Sequence, residues 1–152
     1  MFSGASAINL DAKGRIAMPK RYREPLHAHN NSQLVITVDI QSPCLLLYPI
    51  QEWEQVAAKL SQLSDTQSAE RAIKRMLLGY AHECELDGNG RILLPTPLRQ
   101  YANLEKRAML VGQLNKFELW DEAAWQRQIE ESRLAILNED LAANPRLADF
   151  SL

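Results

Sequence analysis

The chain has 152 residues, 46% hydrophobic and 24% charged, which is ordinary for a soluble globular protein. No apolar run approaches the roughly 20 residues needed to span a bilayer, and no signal peptide precedes the first strand, so a cytoplasmic location is expected. The formal net charge of −2, taken alone, argues mildly against a nucleic-acid partner.

The first strand is expected from Ala5 to Leu10. Asp11-Ala12-Lys13-Gly14 fits a type I turn with Asp first and Gly fourth, the glycine taking positive φ. That predicts a hairpin with a bulge, whose return strand begins at Arg15. Pro19 fits the first turn of a short helix, where a missing N–H costs little. LVITVDI (34–40) and LLLYP (45–49) read as strands around a Gln-Ser-Pro turn. Trp53, Val56, Ala57, Leu60 and Leu63 recur at helical spacing, which predicts a helix over 50–64. Ala69 to Leu78 predicts another, with Gly79 as a left-handed cap. A strand from Glu83 to Leu86 and the turn Asp87-Gly88-Asn89-Gly90 follow, with a return strand from Arg91 and a helix start at Pro95. AMLVG and KFELW then predict strands, and Ala123 to Leu137 a helix. Residues 138–152 have little periodicity and are expected to fray or dock weakly.

This order of elements occurs twice because the sequence does. LDAKGRIAMPKRYR (10–23) and LDGNGRILLPTPLR (86–99) share seven of fourteen positions at an offset of 76. LLYPIQEW (46–53) aligns with ELWDEAAW (118–125) at an offset of 72, so four residues are lost from the second copy between these landmarks. The chain is thus two copies of one unit, roughly 5–65 and 80–137. Each is too small to bury much core alone, so two halves sharing one core are expected.

Charge is distributed unevenly between the copies. Lys13, Arg15, Lys20, Arg21 and Arg23 face only Asp11 and Glu24 within residues 1–25, a local +3. Residues 26–117 cancel, and residues 118–152 carry a local −5. Cations at a helix start oppose the macrodipole by about 0.3–1 kcal/mol each, yet the same free N–H groups suit a phosphate. In the second copy Lys13, Lys20 and Arg21 become Asn89, Thr96 and Pro97. The scaffold residues persist while the charge is lost, which points to a task that only the first copy performs.

Asp11 and Asp87 are expected to accept hydrogen bonds from their own turns rather than to act as catalysts or metal ligands. DGNGR does not make a calcium loop, because Arg91 stands where an oxygen ligand is required. Arg15 and Arg91 can each brace a turn through the Asp four residues earlier. Bracing is the expected role of Arg91, whereas the cations around Arg15 shift it towards a partner contact. The pairs His27/His29 and His82/Cys84 do not supply four zinc ligands, so no metal is expected. Cys44 and Cys84 are expected to stay reduced. Tyr48, Trp53, Trp120 and Trp125 recur at equivalent positions and read as core or interface rather than base-stacking residues. No phosphate-binding loop, nucleophile elbow or dinucleotide fingerprint occurs, so neither an enzyme nor a cofactor is expected.

The paired D-x-x-x-R motifs, each followed by a short strand and Pro, resemble the MraZ proteins of the SpoVT-AbrB superfamily. NLDAKGRIAMPKRYRE, CLLLYPIQEWE, RAIKRMLLGYAHECELDGNGR and LVGQLNKFELWDEAAW carry the resemblance, over residues 1 to about 140. It implies an α+β fold in which duplicated swapped-hairpin AbrB-type halves form one pseudo-twofold double-split β-barrel with flanking helices. The implied organisation is a DNA-facing repeat over 5–52, a helical connector over 53–80, a second repeat over 81–124, and a C-terminal helix and tail over 125–152. It further implies a nucleoid-associated regulator that assembles into closed rings and binds short direct repeats of double-stranded DNA. Such a regulator represses its own gene and the division and cell wall gene cluster. The DNA-contacting Arg of the first motif falls on Arg15; Lys13, Lys20, Arg21 and Arg23 join it from charge placement alone. Asp11, Gly14, Asp87, Gly90 and Arg91 then form the structural turn motif. The alternative is an antitoxin-like protein of the same fold with a protein partner.

Overall fold

Both copies lay down the same succession of elements, but the first strand of each is paired within the other. In the computed structural model, which describes Met1 to Leu152, the first copy contributes β1 (Ala5–Asn9), β2 (Arg15–Ala17), α1 (Lys20–Asn30), β3 (Gln33–Val38) and β4 (Leu45–Pro49). Two helices follow, α2 (Ile50–Ser61) and α3 (Ser68–Gly79). The second copy supplies β5 (His82–Glu85), β6 (Arg91–Leu93), α4 (Thr96–Tyr101), β7 (Arg107–Gly112) and β8 (Phe117–Asp121). After these come α5 (Glu122–Asn138), a 3-10 turn at Leu141–Ala143 and α6 (Pro145–Ala148).

Six strands form one antiparallel sheet in the order β1-β7-β8-β4-β3-β5, and β2 pairs with β6 in a separate ribbon. β1 therefore lies on β7 of the second copy, and β5 on β3 of the first. The expected barrel is not closed, because β1 and β5 remain the two outer edges of an open sheet. The expected hairpins of β1 with β2 and of β5 with β6 are also replaced. Each turn closes locally, with Asp11 N–H donating to Arg15 O and Asp87 N–H to Arg91 O. Beyond that point a return strand of only three residues crosses to its counterpart, Ile16 opposite Ile92. Both isoleucines are then buried, which neither hairpin would accomplish alone.

One core cluster draws matched residues from the two copies: Leu10 with Leu86, Ile16 with Ile92, Met18 with Leu94, Tyr22 with Leu98, and Leu26 with Ala102. A second cluster joins Val35, Leu46 and Tyr48 to Trp53 and Leu60, with Ile73 and Leu77 packed against it. Trp120 is buried as well, and Trp125 partly so. Strand starts locate the missing residues. β3 and β7 begin 74 apart and β4 and β8 begin 72 apart, against 76 for β2 and β6. Two residues are thus lost around the helix, which shortens from 11 residues in α1 to 6 in α4, and two more in the turn between β7 and β8.

Smaller expectations change for local reasons. Pro19 and Pro95 stand at the N-cap, one place before their helices. Gly79 does not adopt a left-handed cap. The Thr37 hydroxyl donates to the Leu77 carbonyl at 2.7 Å, satisfying an end of α3 that a left-handed glycine would otherwise serve.

The chain divides into two units, Met1–Glu122 and Ala123–Leu152. In the second, Asp140 and Asn144 cap the short helical turns at 141–148, which the sequence pattern did not reveal. Its Leu134, Ile136, Leu137 and Phe150 are exposed. No helix is long and apolar enough to cross a membrane.

The two motif glycines join the halves. Met18 N–H donates to Gly90 O at 2.8 Å, and Leu94 N–H to Gly14 O at 2.9 Å. Gly14 and Gly90 have φ of +82° and +71°. Each lies under an arginine of the other copy: a Cβ on Gly14 would come within 2.8 Å of Arg99 Cζ, and one on Gly90 within 2.2 Å of Arg23 Nε. Gly90→Ala is expected to cost about 1–3 kcal/mol, read as a lowered urea midpoint. Combined with Arg23→Ala the loss should be less than additive, because the clash goes with the arginine. Full additivity would mean that the side chain does not cover the turn.

Candidate nucleic-acid interface

The first turn is built by one carboxylate. Asp11 Oδ1 accepts the backbone N–H groups of Lys13 and Arg15, each at 2.9 Å, while Gly14 N–H donates to Asp11 O. Asp87 repeats this with the N–H groups of Asn89 and Arg91 at 2.8 and 2.9 Å. Donors held on a carboxylate favour its charged form. The Arg15 backbone bond, aided by the Arg15 side chain and Lys13 N–H, brings the Asp11 pKa down to about 2. The Asp87 pKa is lowered chiefly by the Arg91 backbone bond.

The side chains of the two motif arginines differ, and the bracing expected of Arg91 is made by Arg15. Arg15 Nε donates to Asp11 Oδ2 at 2.8 Å, so it is Arg15 that braces its turn. Its two terminal nitrogens make no hydrogen bond, and its side chain is 31% exposed. Arg91 contributes its backbone N–H to Asp87, but its guanidinium forms no hydrogen bond or ion pair. Both lie on one face of the ribbon. Arg15 is opposite Leu93 and Ala17 opposite Arg91, so with Ile16 and Ile92 pointing into the core, the alternate positions face outward. The face consists of Arg15, Ala17, Arg91 and Leu93, and Leu93 is 51% exposed.

The other proposed cations divide into free and committed groups. Lys13, at the turn tip, and Lys20, opening α1, are exposed and without partners. Arg21 Nη2 donates to Ser6 Oγ and Tyr22 Oη, and its guanidinium lies 4.5 Å from the Tyr22 ring centre. Tyr22 in turn donates to Ser3 O. Arg23 Nε donates to Met18 O at 2.7 Å while covering Gly90. Arg23 is thus engaged in the frame through Nε, as well as standing among the proposed phosphate contacts. Arg99 does the same in the second copy, donating from Nε to Leu94 O at 2.9 Å and from Nη2 to Thr96 Oγ1. Sequence reasoning missed this pair, although the final Arg of each motif was the signal: copy two keeps it, together with Arg91, while Lys13, Lys20 and Arg21 are replaced. The α1 start itself has no side-chain cap and no acidic residue in its first turn.

Comparison with known proteins bears on this arrangement. The family model described as "MraZ protein, putative antitoxin-like" matches the chain twice, over residues 1–76 and 77–144. The chain is 93% identical to the "Transcriptional regulator MraZ" of Shewanella piezotolerans, over all 152 residues and the whole of both chains. It is 90% identical to the protein of that name from Shewanella halifaxensis, and 88% to that from Shewanella pealeana, again over the full length of each.

The lowered pKa of Asp11 makes a testable statement about the turn. A depressed carboxylate contributes stability above its ordinary value of 3.8 and loses it as pH falls towards about 2. By NMR titration, Arg15→Ala should raise the Asp11 midpoint yet leave it below 3.8, since the backbone N–H bonds persist. An unchanged midpoint would show that the Nε bond is not made in solution.

Proposed function

The chain belongs to the MraZ family, and we propose that it is a transcriptional regulator that reads double-stranded DNA with the outer face of the β2–β6 ribbon. The observation that carries this is the state of Arg15: anchored through Nε to Asp11, with neither terminal nitrogen in a hydrogen bond and the side chain 31% exposed. Guanine O6 and N7 accept a planar pair of N–H donors, and the major groove admits a two-stranded ribbon. A fork already aimed by Asp11 loses little freedom on docking. Lys13 and Lys20 flank it as free cations suited to phosphates, which set register without reading sequence. Arg21 offers its guanidinium at the same helix start, and Arg91 adds a second cation to the ribbon face.

The fold fits this role through its internal two-fold, since each half's first strand pairs in the other as a swapped-hairpin arrangement requires. The proposed regulator assembles into closed rings, occupies short direct repeats, and represses its own gene and the division and cell wall cluster. One subunit offers few phosphate contacts and binds weakly alone. Neighbouring subunits on neighbouring repeats raise affinity through effective concentration. A chain of net charge −2 can thus serve as a DNA binder, because only its basic edge meets the duplex.

Gel shift on DNA upstream of the chain's own gene tests the reading. Arg15→Ala should cut specific affinity by about 1–3 kcal/mol per subunit contact and leave folding intact. Lys13→Ala and Lys20→Ala should weaken all sequences alike, each reducing the salt slope by about one. A folded Arg15→Ala protein that binds like the wild type, or a flat response to salt, would refute the interface.

A further inference from the structure

Away from the ribbon, the structure gathers three metal-ligating groups that are far apart in sequence. Asp39 ends the strand region before the β3–β4 turn, Cys44 closes that turn, and Glu118 lies on β8 opposite Leu46. One oxygen from each carboxylate and the Cys44 sulfur all lie within 4.8 Å of one another, and the sulfur is 3.8 Å from Asp39 Oδ2. Cys44 is fully buried and the two carboxylates are partly buried.

We propose that Asp39, Cys44 and Glu118 form a site for a divalent cation of zinc type, which fastens the β3–β4 turn of the first copy to β8 of the second.

Three features carry the proposal. The first is charge: two carboxylates converge on a buried thiol, and neither forms a salt bridge with a lysine, arginine or histidine. A divalent ion would offset both carboxylates, and a coordinating thiol gives up its proton outright. Binding would release that proton to solvent and leave one thiolate and two carboxylates on the metal.

The second is orientation. Metal ligands are commonly steered by hydrogen bonds from outside the site. Here Gln41 N–H donates to Asp39 Oδ1 at 2.8 Å, and Trp120 Nε1 to Glu118 Oε1 at 3.2 Å. Tyr101 fixes the backbone of the same residue by donating to Asp39 O at 2.5 Å. The third is the ligand set. One thiolate with two carboxylates suits a borderline-soft ion and leaves a fourth tetrahedral position for water. The turn is tied at its base by Asp39 N–H donating to Cys44 O, so both first-copy ligands move as one body. The 3.8 Å separation is slightly longer than the roughly 3.5–3.7 Å edge of a tetrahedron built from Zn–S and Zn–O bonds of roughly 2.3 and 2.0–2.2 Å, so a bound ion would draw the ligands closer.

Cobalt(II) serves as the probe because its bond to thiolate absorbs in the near ultraviolet. Full-length wild-type protein titrated with cobalt should develop this thiolate band, and zinc should displace it. Cys84→Ser should retain the band, and Cys44→Ser should lose it while keeping the wild-type circular dichroism spectrum. Glu118→Gln should weaken binding by about tenfold or more. Zinc should raise the melting temperature of the wild type but not of Cys44→Ser, since an ion bound only by the folded state stabilises it. No band with wild-type protein, or a band that survives Cys44→Ser, overturns the proposal.

Discussion

The structure depends on a reciprocal tie between two turns. Gly14 and Gly90 each give a carbonyl to the opposite copy, taking N–H bonds from Leu94 and Met18. Strands of three residues have almost no ladder of their own, and an isolated two-stranded ribbon is marginal in water. What holds this one is its neighbourhood. Ile16, Met18, Ile92 and Leu94 lie beneath it in the shared core, and Arg23 and Arg99 close its two ends. Glycine is needed twice over at each position, once for the positive φ of the turn and once because an arginine occupies the space a Cβ would fill.

That tie leaves one face of the ribbon open for the proposed recognition. Its inner positions are consumed by the core, its ends by arginines bound to backbone carbonyls, and its turns by Asp11 and Asp87. Only the outward positions are free to vary without loss of the frame. The copies differ in charge at the turn tip and at the helix start: Lys13 against Asn89, Lys20 against Thr96, Arg21 against Pro97. Duplication with shared packing thus separates two demands that a single motif would have to satisfy together.

Much of this was legible from the chain. The turns were, because Asp first and Gly fourth is a local rule that the hydrogen bonds and φ values obey. So were the strands LLLYP and AMLVG and the buried Tyr48, Trp53 and Trp120, through periodicity and repetition. Strand exchange was legible only through the family resemblance, not through the local pattern. Alternation marks which residues face a core, but β1 reads the same whether its partner is β2 or β7. Nor was the open sheet, since closure depends on how strand edges meet. The division among the arginines was hidden for a related reason. Arg15, Arg23, Arg91 and Arg99 stand in one repeated pattern, and only three-dimensional contact separates the aimed guanidinium, the free one and the two that cover glycines. Asp39, Cys44 and Glu118 have no local signature at all, because the third is brought to the others by β4–β8 pairing.

The contrast between Arg15 and Arg91 is where this separation has most consequence. A surface ion pair such as Arg15–Asp11 contributes little stability, so stability alone is a weak reason for it. In the proposed recognition its effect is larger. Immobilising a long side chain at an interface costs about 0.5–1.5 kcal/mol, and Asp11 has already met part of that cost in the free protein. Arg91 has the same backbone turn but no such anchor, so the whole cost falls on it at the moment of contact. Lys20 and Arg21 point the same way from the other side. At the first positions of α1 they oppose its macrodipole, an arrangement unfavourable in the isolated chain that an approaching phosphate would reverse. Both features weigh against a purely structural origin for the first copy's charge and favour an anionic partner.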